Sequence, residues 1–469
     1  MPSPDLAAVR FEDVAAAHTD PAFPRFHPRP AQGWINDPNG ISHINGRYHV
    51  FFQYNPDSAR HHRIAWGHVS SADLVRWEEH PVALRPQPGG PDEYGCWTGV
   101  VTDDGGVPTA AYSGVRGDGG HSQVVIARGS EDLVNWDQTG HVAASMPGGQ
   151  VTAVRDPFIF RFNGKRYAMQ GAGLANGHAA LLLYTVEDMS DWKYQGVWLT
   201  SENPVAAEST PAEIWECPQL VRVPDSATSS DSGTDSGTWL MMFSLWLSGD
   251  AHEHANGVGH LIGSLTADPA TGLPVFTPRS GGKSDLGRDF YAPQIVALED
   301  RVLLWGWANE GPGRDGRRGR SQDEIDAAGW AGVLTFPREL SVVDGALAVS
   351  PAPEIAGYRG VPVASAARCT VVVPPFAEAV VTAGATGGDA AVELLLVGKG
   401  SSQMVFRGAL EPGEELRIFV DASLVEVYRS GSVATTLRAY PAAGEEWELH
   451  LPAGAVADVR ALEQPPVQG

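Results

Sequence analysis

The sequence lacks the features of several protein classes. No stretch of its 469 residues approaches the roughly 18 consecutive apolar residues that indicate a membrane-spanning helix. The N-terminus has no basic start followed by an apolar run, so we expect a cytoplasmic protein unless a secretory signal has been removed. Basic residues are few, with 33 lysines and arginines and a formal net charge of −23. This charge disfavours nucleic acid or an anionic membrane as a partner, and it suits a neutral substrate better than a phosphorylated one.

Cysteine is also scarce, and no spacing in the sequence indicates a metal site. The three cysteines are far apart: Cys96, Cys217 and Cys369. Their odd number and wide separation fit neither a disulfide framework nor a metal knuckle, so we expect buried free thiols. Several histidines lie on or near predicted strands without ligand spacing: His49, His61, His62 and His68. We expect ordinary core or surface roles for them and predict neither a metal nor a cofactor.

Long helical periods are missing too, and short apolar or aromatic runs between glycine, proline and aspartate turns take their place. This pattern predicts an all-β protein. One kind of strand recurs five times after a turn, as RYHVFFQ (47–53), VPTAAYSG (107–114), KRYAMQG (165–171), TWLMMFSLW (238–246) and RVLLWGWAN (301–309). A repeat of this length that contains only strands predicts a five-bladed β-propeller with four strands in each blade.

The repeat stops at about residue 345, and eight short alternating strands follow it. Such strands, separated by turn signals, predict a β-sandwich. We therefore predict a propeller domain over residues 1–340, of which the first 25 or so are an extension. A connection over 341–360 and a sandwich over 361–469 complete the predicted organisation.

A polar and aromatic segment lies upstream of each repeated strand, as GWINDPNG (33–40), GCWTG (95–99), VRDPF (154–158), IWECPQ (214–219) and GRDFYAP (287–293). Equivalent positions in successive blades should form the innermost strands, whose ends converge at one mouth of the central channel. Three of the segments bring carboxylates to this mouth: Asp37, Asp156 and Glu216. Glycoside hydrolysis needs a nucleophile or base on one side of the anomeric carbon and a proton donor beside the leaving oxygen. Three converging carboxylates therefore form a plausible glycosidase site.

The neighbours of each carboxylate predict different protonation states. Two asparagines beside Asp37 should hold it ionised, as a nucleophile requires. Glu216 lies between a tryptophan and a cysteine, an apolar setting that should raise its pKa and suit a proton donor. Arg155 should keep Asp156 charged, so that Asp156 binds hydroxyls. Sugar rings stack on aromatic side chains, and four tryptophans are candidates for the rim: Trp34, Trp66, Trp97 and Trp215.

Each of these motifs also has an ordinary structural explanation. Asp-Pro-Asn-Gly is a common turn, and Arg-Asp-Pro alone could be an ion pair at the end of a strand. The basic run GRDGRRGR (313–320) is expected to be a solvated loop. From the residues alone, a catalytic site and a structural one both remain open.

Seven motifs in order resemble those of glycoside hydrolase family 32, which contains invertases, inulinases, levanases and related fructosyltransferases. They are GWINDPNG, FFQYNP (51–56), WGHVSSADLVRW (66–77), VRDP, WECPQ, DLGRDFYAP (285–293) and GWAGVLTFPREL (329–340). SQMVFRGAL (402–410) and LRIFVDASLVEVY (416–428) resemble its C-terminal sandwich module. The resemblance covers roughly residues 25 to 465 and implies a five-bladed propeller followed by a sandwich.

The resemblance also implies roles for the carboxylates. In a retaining cleavage, Asp37 would attack C2 of a β-fructofuranosyl unit, and Glu216 would protonate the leaving oxygen and then activate water. Asp156 would bind fructose hydroxyls and stabilise the transition state. Retention predicts that the Asp37 and Glu216 carboxyls lie about 5–5.5 Å apart.

The family's fructose pocket implies further substrate-binding residues: Trp34, Asn36, Gln53, Trp66, Arg155 and Trp307. Asp285 is a candidate for the leaving-group side. Many bacterial members have Phe-Ser-Gly-Ser where this chain has Cys96-Trp97-Thr98-Gly99-Val100. Trp97 and Thr98 should still line the pocket, but the larger ring changes the shape expected for the fructose subsite.

The predicted function is hydrolysis of terminal β-D-fructofuranosyl linkages in sucrose and short fructo-oligosaccharides. The partner is a small carbohydrate, and the sequence does not fix the oligomeric state. Alternatives are a fructosyltransferase, an exo-inulinase or levanase, a non-catalytic sugar-binding propeller, and a protein-interaction propeller. The intact trio of carboxylates argues against a binding module, because a lectin needs no proton donor.

Overall fold

A computed structural model describes residues 8–117, 121–223, 237–248, 255–310, 317–366, 369–383 and 391–465. It consists mainly of β-strands, arranged as a five-bladed propeller followed by a β-sandwich. The predicted fold class is therefore confirmed. No helix in the described ranges is long and apolar enough to cross a membrane. The cytoplasmic location stays a prediction.

Each blade is an antiparallel sheet whose first strand contacts the first strands of the neighbouring blades. From the channel outward, blade 1 contains Gly33–Ile44, Arg47–Asn55, Ala65–Ser71 and Glu78–Leu84; blade 2 Gly95–Asp103, Pro108–Val115, Ser122–Gly129 and Trp136–Ala144; blade 3 Val151–Phe162, Lys165–Leu174, Ala179–Asp188 and Asp191–Thr200; blade 4 Ile214–Arg222, Trp239–Trp246, Ala255–Ala267 and Pro274–Lys283; and blade 5 Phe290–Ala297, Val302–Ala308, Arg338–Val343 and Ala346–Pro351. The five repeated segments are the second strands, and the five polar segments upstream of them contribute to the innermost strands.

Short segments close the ring between blades 5 and 1. Trp330–Ala331 pairs in parallel with the start of the first strand of blade 1, and Val333–Leu334 pairs with the second strand of blade 5. Val9–Arg10 extends the outer edge of blade 1. The α-helices are short: Phe11–Ala17, Pro204–Ser209 and Gln322–Ala328.

The predicted connection at 341–360 was wrong in its first half. Residues 341–351 belong to the two outer strands of blade 5, so the propeller extends to Pro351. Asp344 and Gly345 join these strands in a two-residue turn with φ of 51° and 79°, which is the Asp-Gly hairpin signal. A short 3₁₀ helix, Pro353–Tyr358, then leads to the sandwich.

The sandwich contains ten strands in the described residues, two more than the pattern predicted. One sheet contains Arg359–Ala366, Val456–Leu462, Phe376–Thr382, Glu415–Asp421, Leu424–Arg429 and Thr435–Arg438; the other contains Thr370–Val373, Glu446–His450, Ala391–Gly398 and Ser401–Ala409. The sequence pattern missed Arg359–Ala366 and Val456–Leu462. The first includes Pro362, which a strand tolerates here because it lies at the edge of its sheet.

Candidate active site

Each innermost strand has a β-bulge at the same position, where two residues face one residue of the second strand. The bulged pairs are 36–37, 97–98, 156–157, 217–218 and 292–293. A bulge bends a strand and re-aims its side chains, so five bulges turn side chains from five blades toward one mouth.

Three of the bulges need an unusual backbone conformation. Asp156, Cys217 and Ala292 have φ of 59°, 49° and 51°, in the left-handed region that costs non-glycine residues about 1–3 kcal/mol. The preceding blade stabilises two of them through a serine of its second strand. The Asp156 amide donates to Ser113 Oγ at 2.7 Å, and the Ala292 amide donates to Ser244 Oγ at 2.8 Å. The propeller thus maintains local strain where the acidic side chains meet.

Asp37 is held at both carboxylate oxygens. Oδ1 accepts a hydrogen bond from Asn36 Nδ2 at 3.0 Å, and Oδ2 accepts one from Gln53 Nε2 at 3.0 Å. Oδ2 also accepts from Thr98 Oγ1 and, at 3.4 Å, from Cys217 Sγ. Burial raises the pKa of Asp37, and the hydrogen bond from Thr98 partly opposes that increase. These donors fix the orientation of the Asp37 carboxylate in the cavity.

Glu216 is held between the two neighbouring blades. Its Oε1 pairs with Arg155 Nε at 2.7 Å, and its Oε2 accepts from the Tyr291 hydroxyl at 2.6 Å. Arg155, Glu216 and Tyr291 occupy equivalent positions directly before the bulges of blades 3, 4 and 5. The apolar setting predicted for Glu216 was therefore wrong. Its neighbour Trp215 is fully buried against Phe243, because successive side chains of a strand point to opposite faces.

Asp156 lies deep in the same group. Its Oδ2 accepts from the Cys217 amide at 2.8 Å, and Cys217 Sγ lies 3.6 Å away. Burial, together with the negative charges of Glu216 and Asp37, raises the pKa of Asp156 to about 8. The expectation that Arg155 keeps Asp156 charged was wrong, because these effects outweigh one guanidinium. Asp156 is therefore mainly protonated at neutral pH.

The carboxylates open into a cavity of about 720 Å³, within the size range of small-molecule sites. Nine of the predicted site residues line it: Trp34, Asn36, Asp37, Gln53, Trp97, Arg155, Asp156, Glu216 and Trp307. Thr98 is buried beneath the surface and acts through its hydrogen bond to Asp37. Among the described residues, no group of histidine, cysteine and acidic side chains could hold a metal ion.

Two predicted substrate contacts lie elsewhere. Trp66 is fully buried behind the cavity, where its Nε1 donates to the Trp97 carbonyl at 3.0 Å. Asp285 lies at the interface with the sandwich, where it pairs with Arg338 at 2.8 Å and accepts from the Thr436 amide at 2.8 Å. The prediction that Asp285 faces the leaving group was wrong, because Asp285 forms a β-bridge with Ala434, which directly precedes a sandwich strand that is remote in sequence.

Several cavity-lining residues were missed from the sequence: Arg60, His61, His62, Trp246, Ala255, Tyr291, Asn309, Glu310 and Gln322. The repeat contained the signal for Tyr291, since it aligns with Arg155 and Glu216. His61 had been expected to have an ordinary role, yet its ring centroid lies 5.6 Å from that of Trp97 and 6.2 Å from that of Trp34.

The basic run at 313–320 also differs from the prediction. Residues 313–316 lie outside the described ranges. Arg317 and Arg320 are buried and pair with Asp289 at 2.6 Å and Glu310 at 2.9 Å, respectively. These arginines belong to the interior of the protein, so the solvated loop predicted here was wrong for this part of the run.

Two family models and several known proteins are similar to this chain. Residues 27–351 match the family model described as glycosyl hydrolases family 32 N-terminal domain, and residues 389–462 match the one described as glycosyl hydrolases family 32 C terminal. The chain is 31% identical over 367 residues to a raffinose invertase of Escherichia coli, which covers 76% of this chain and 70% of that protein. It is 29% identical to a sucrose-6-phosphate hydrolase of Klebsiella pneumoniae, over 91% of this chain and 90% of that protein. A family 32 β-fructofuranosidase of Bombyx mori matches with a TM-score of 0.78 and 25% identity, over 97% of this chain and 96% of that chain.

Proposed function

Because the chain belongs to glycosyl hydrolases family 32 and is a hydrolase of the fructofuranosidase type, we propose that it hydrolyses terminal β-D-fructofuranosyl linkages of sucrose and short fructo-oligosaccharides with retention of configuration. The observation that supports this most directly is the arrangement of Asp37 and Glu216. One is held by hydrogen-bond donors on both oxygens, and the other lies between Arg155 and Tyr291 in the same cavity.

The reaction proceeds in two displacements. Asp37 attacks C2 of the fructosyl unit while Glu216 gives its proton to the glycosidic oxygen, so the bond to the leaving sugar breaks as the bond to Asp37 forms. Glu216, now ionised, takes a proton from water, and the water oxygen attacks C2 and releases Asp37. Asp156 binds fructose hydroxyls. The carboxyl separation of about 5–5.5 Å that retention requires stays a prediction.

The charges around the cavity favour sucrose over sucrose 6-phosphate. Arg155 pairs with Glu216, and Arg60 pairs with Asp326. No lysine is among the described residues that line the cavity. A phosphate group would therefore have to compete with carboxylates for both arginines. We expect kcat/KM to be higher for sucrose than for sucrose 6-phosphate, and the reverse order would contradict the neutral-substrate proposal.

Two variants test the mechanism. Asp37→Ala and Glu216→Ala should each reduce fructose release from sucrose by about 10⁴-fold while the circular-dichroism spectrum stays native. Asp137→Ala removes an exposed carboxylate from the outer strand of blade 2 and should keep wild-type activity. Full activity in either catalytic variant would refute the assigned roles.

Product analysis tests the stereochemistry and the substrate range. NMR at early times should detect β-fructofuranose as the first product, and an α product would refute the double displacement. The substrates should include sucrose, raffinose, kestose, inulin and levan, with one sample at high sucrose. Dominant transfer at high sucrose would indicate a fructosyltransferase, and a strong preference for polymers would indicate an exo-inulinase or levanase.

A further inference from the structure

One carboxylate of the cavity wall has no part in the proposed reaction. Glu310 follows the second strand of blade 5, and its side chain is only 3% exposed. Its Oε1 accepts from Arg320 Nη2 at 2.9 Å, Gly332 N at 3.0 Å and Arg438 Nη2 at 3.1 Å. Its Oε2 accepts from the Tyr440 hydroxyl. Glu310 therefore joins the cavity wall to two residues of the sandwich.

The sandwich side of this contact is itself firmly held. Arg438 ends a sandwich strand, is buried, and donates through Nη2 to Tyr440 Oη at 2.6 Å and Ser423 Oγ at 3.1 Å. Its Nη1 donates to the Ala308 carbonyl at 3.3 Å, at the end of the blade 5 strand that contains Trp307. Arg438 thus contacts the wall twice, through Glu310 and through the strand before it.

Gly332 connects Glu310 to the strands around Asp37 and Glu216. It has φ of 77°, and a Cβ there would lie 1.9 Å from the Ile35 carbonyl oxygen and 2.8 Å from Trp307 Nε1. Ile35 is two residues before Asp37 on the same strand. Trp307 is the register partner of Tyr291, whose hydroxyl donates to Glu216. A shift of Gly332 would therefore change the positions of Asp37 and Glu216.

We infer that Arg438 and Tyr440 of the sandwich are positioning residues for Asp37 and Glu216, acting through Glu310 and Gly332. The inference rests on the proposed function, because it concerns the geometry of that reaction. It assigns the sandwich a catalytic contribution that is separate from its contribution to stability. The two contributions can be separated because the same interface contains a second buried cluster away from the cavity.

The matched control lies in that second cluster. Tyr428 is buried, and its hydroxyl donates to Glu426, just as the Tyr440 hydroxyl donates to Glu310. Tyr428 does not line the catalytic cavity. Tyr428→Phe and Tyr440→Phe each remove one hydroxyl donor that hydrogen-bonds to a buried carboxylate of the interface. Both substitutions should therefore lower the melting temperature by similar amounts.

The experiment compares kcat and KM of both variants on sucrose, well below their melting temperatures. Tyr440→Phe should lower kcat by about threefold to tenfold and shift the pH profile of kcat, because the two carboxylates no longer have their productive geometry. Tyr428→Phe should keep both constants within about twofold of wild type. Arg438→Lys, which retains a donor for Glu310, should be more active than Arg438→Met.

Equal kinetic constants and pH profiles in the two tyrosine variants would overturn the inference. Equal activity of Arg438→Lys and Arg438→Met would also overturn it, since the retained donor would then have no effect. A wild-type protein that releases no fructose from sucrose would instead refute the proposed function. The failure of the inference and the failure of the function are therefore distinguishable.

Discussion

Two groups of three carboxylates among the described residues differ in how their charge is balanced. At the mouth of the propeller, Asp37, Asp156 and Glu216 lie together, and Arg155 is the cation paired with Glu216. At the interface with the sandwich, three other acids are paired with cations or with rows of N–H and hydroxyl donors: Asp285, Asp421 and Glu426.

The interface group is saturated with donors. Asp421 accepts from three successive backbone amides at residues 25–27 and from the His27 ring at 2.7 Å. Arg338 donates to both Asp285 and Glu426, and all three side chains are fully buried. Burial alone would raise the pKa of Glu426, but Arg338 and His27 lower it to about 2.

The electrostatic consequences are opposite in the two groups. At Glu426 the neighbouring cations outweigh burial and lower the pKa, whereas at Asp156 burial and the neighbouring carboxylates outweigh Arg155 and raise the pKa. The raised pKa keeps Asp156 mainly protonated at neutral pH. The following predictions test the difference from the largest expected effect to the smallest.

Removing a charge from the interface group should strongly destabilise the protein. Glu426→Gln leaves the buried Arg338 with less compensation, so the free energy of unfolding should fall by about 3–5 kcal/mol. Urea denaturation followed by tryptophan fluorescence measures this change. The folded variant should keep wild-type kcat/KM, since Glu426 does not line the cavity. A variant as stable as wild type would contradict the structural role.

The sequence could predict the fold because the repeat is local. Each blade repeats a turn followed by an apolar second strand, and the polar segment upstream marks the innermost strand. The same register could have identified Tyr291, which precedes its bulge as Glu216 does. The Asp344-Gly345 hairpin signal was also present in the sequence, although the predicted connection at 341–360 included it.

Other features depend on residues that only the folded chain brings together. In the sequence, Asp285 resembles a site residue. In the folded protein, Thr436, which is 151 positions away in sequence, donates to Asp285 through its amide and its hydroxyl. The raised pKa of Asp156 depends on burial and on carboxylates from two other blades, while the adjacent Arg155 pairs with Glu216. Sequence neighbours therefore predicted the wrong electrostatic partners at both sites.

A substitution in the group at the mouth should change the free energy of unfolding in the opposite direction. Asp156→Asn removes the free-energy cost of keeping this side chain protonated in the folded protein and keeps an acceptor for the Cys217 amide. The free energy of unfolding should therefore rise by about 1–2 kcal/mol, while fructose release falls by at least about 10²-fold. Differential scanning calorimetry at pH 7 and a sucrose assay measure the two effects. A less stable Asp156→Asn variant would show that the burial of Asp156 imposes no such cost.

The pH dependence of stability should distinguish the two groups by sign. The pKa of Asp156 is raised to about 8 in the folded protein, so its stabilising contribution is complete below its unfolded value of 3.8 and is lost as pH rises through about 8. The pKa of Glu426 is lowered to about 2, so its contribution is present above its unfolded value of 4.5 and is lost as pH falls through about 2.

Between pH 5 and 8, the bound proton of Asp156 should therefore make the wild type less stable as pH rises, by up to about 1.4 kcal/mol per pH unit. Melting temperatures at pH 5, 6, 7 and 8 test this when wild type is compared with Asp156→Asn. The difference in melting temperature between the two proteins should widen with increasing pH. Unfolding of the wild type releases the Asp156 proton, whereas unfolding of the variant does not. Parallel curves across the range would place the proton outside Asp156 and would make the two carboxylate groups electrostatically alike.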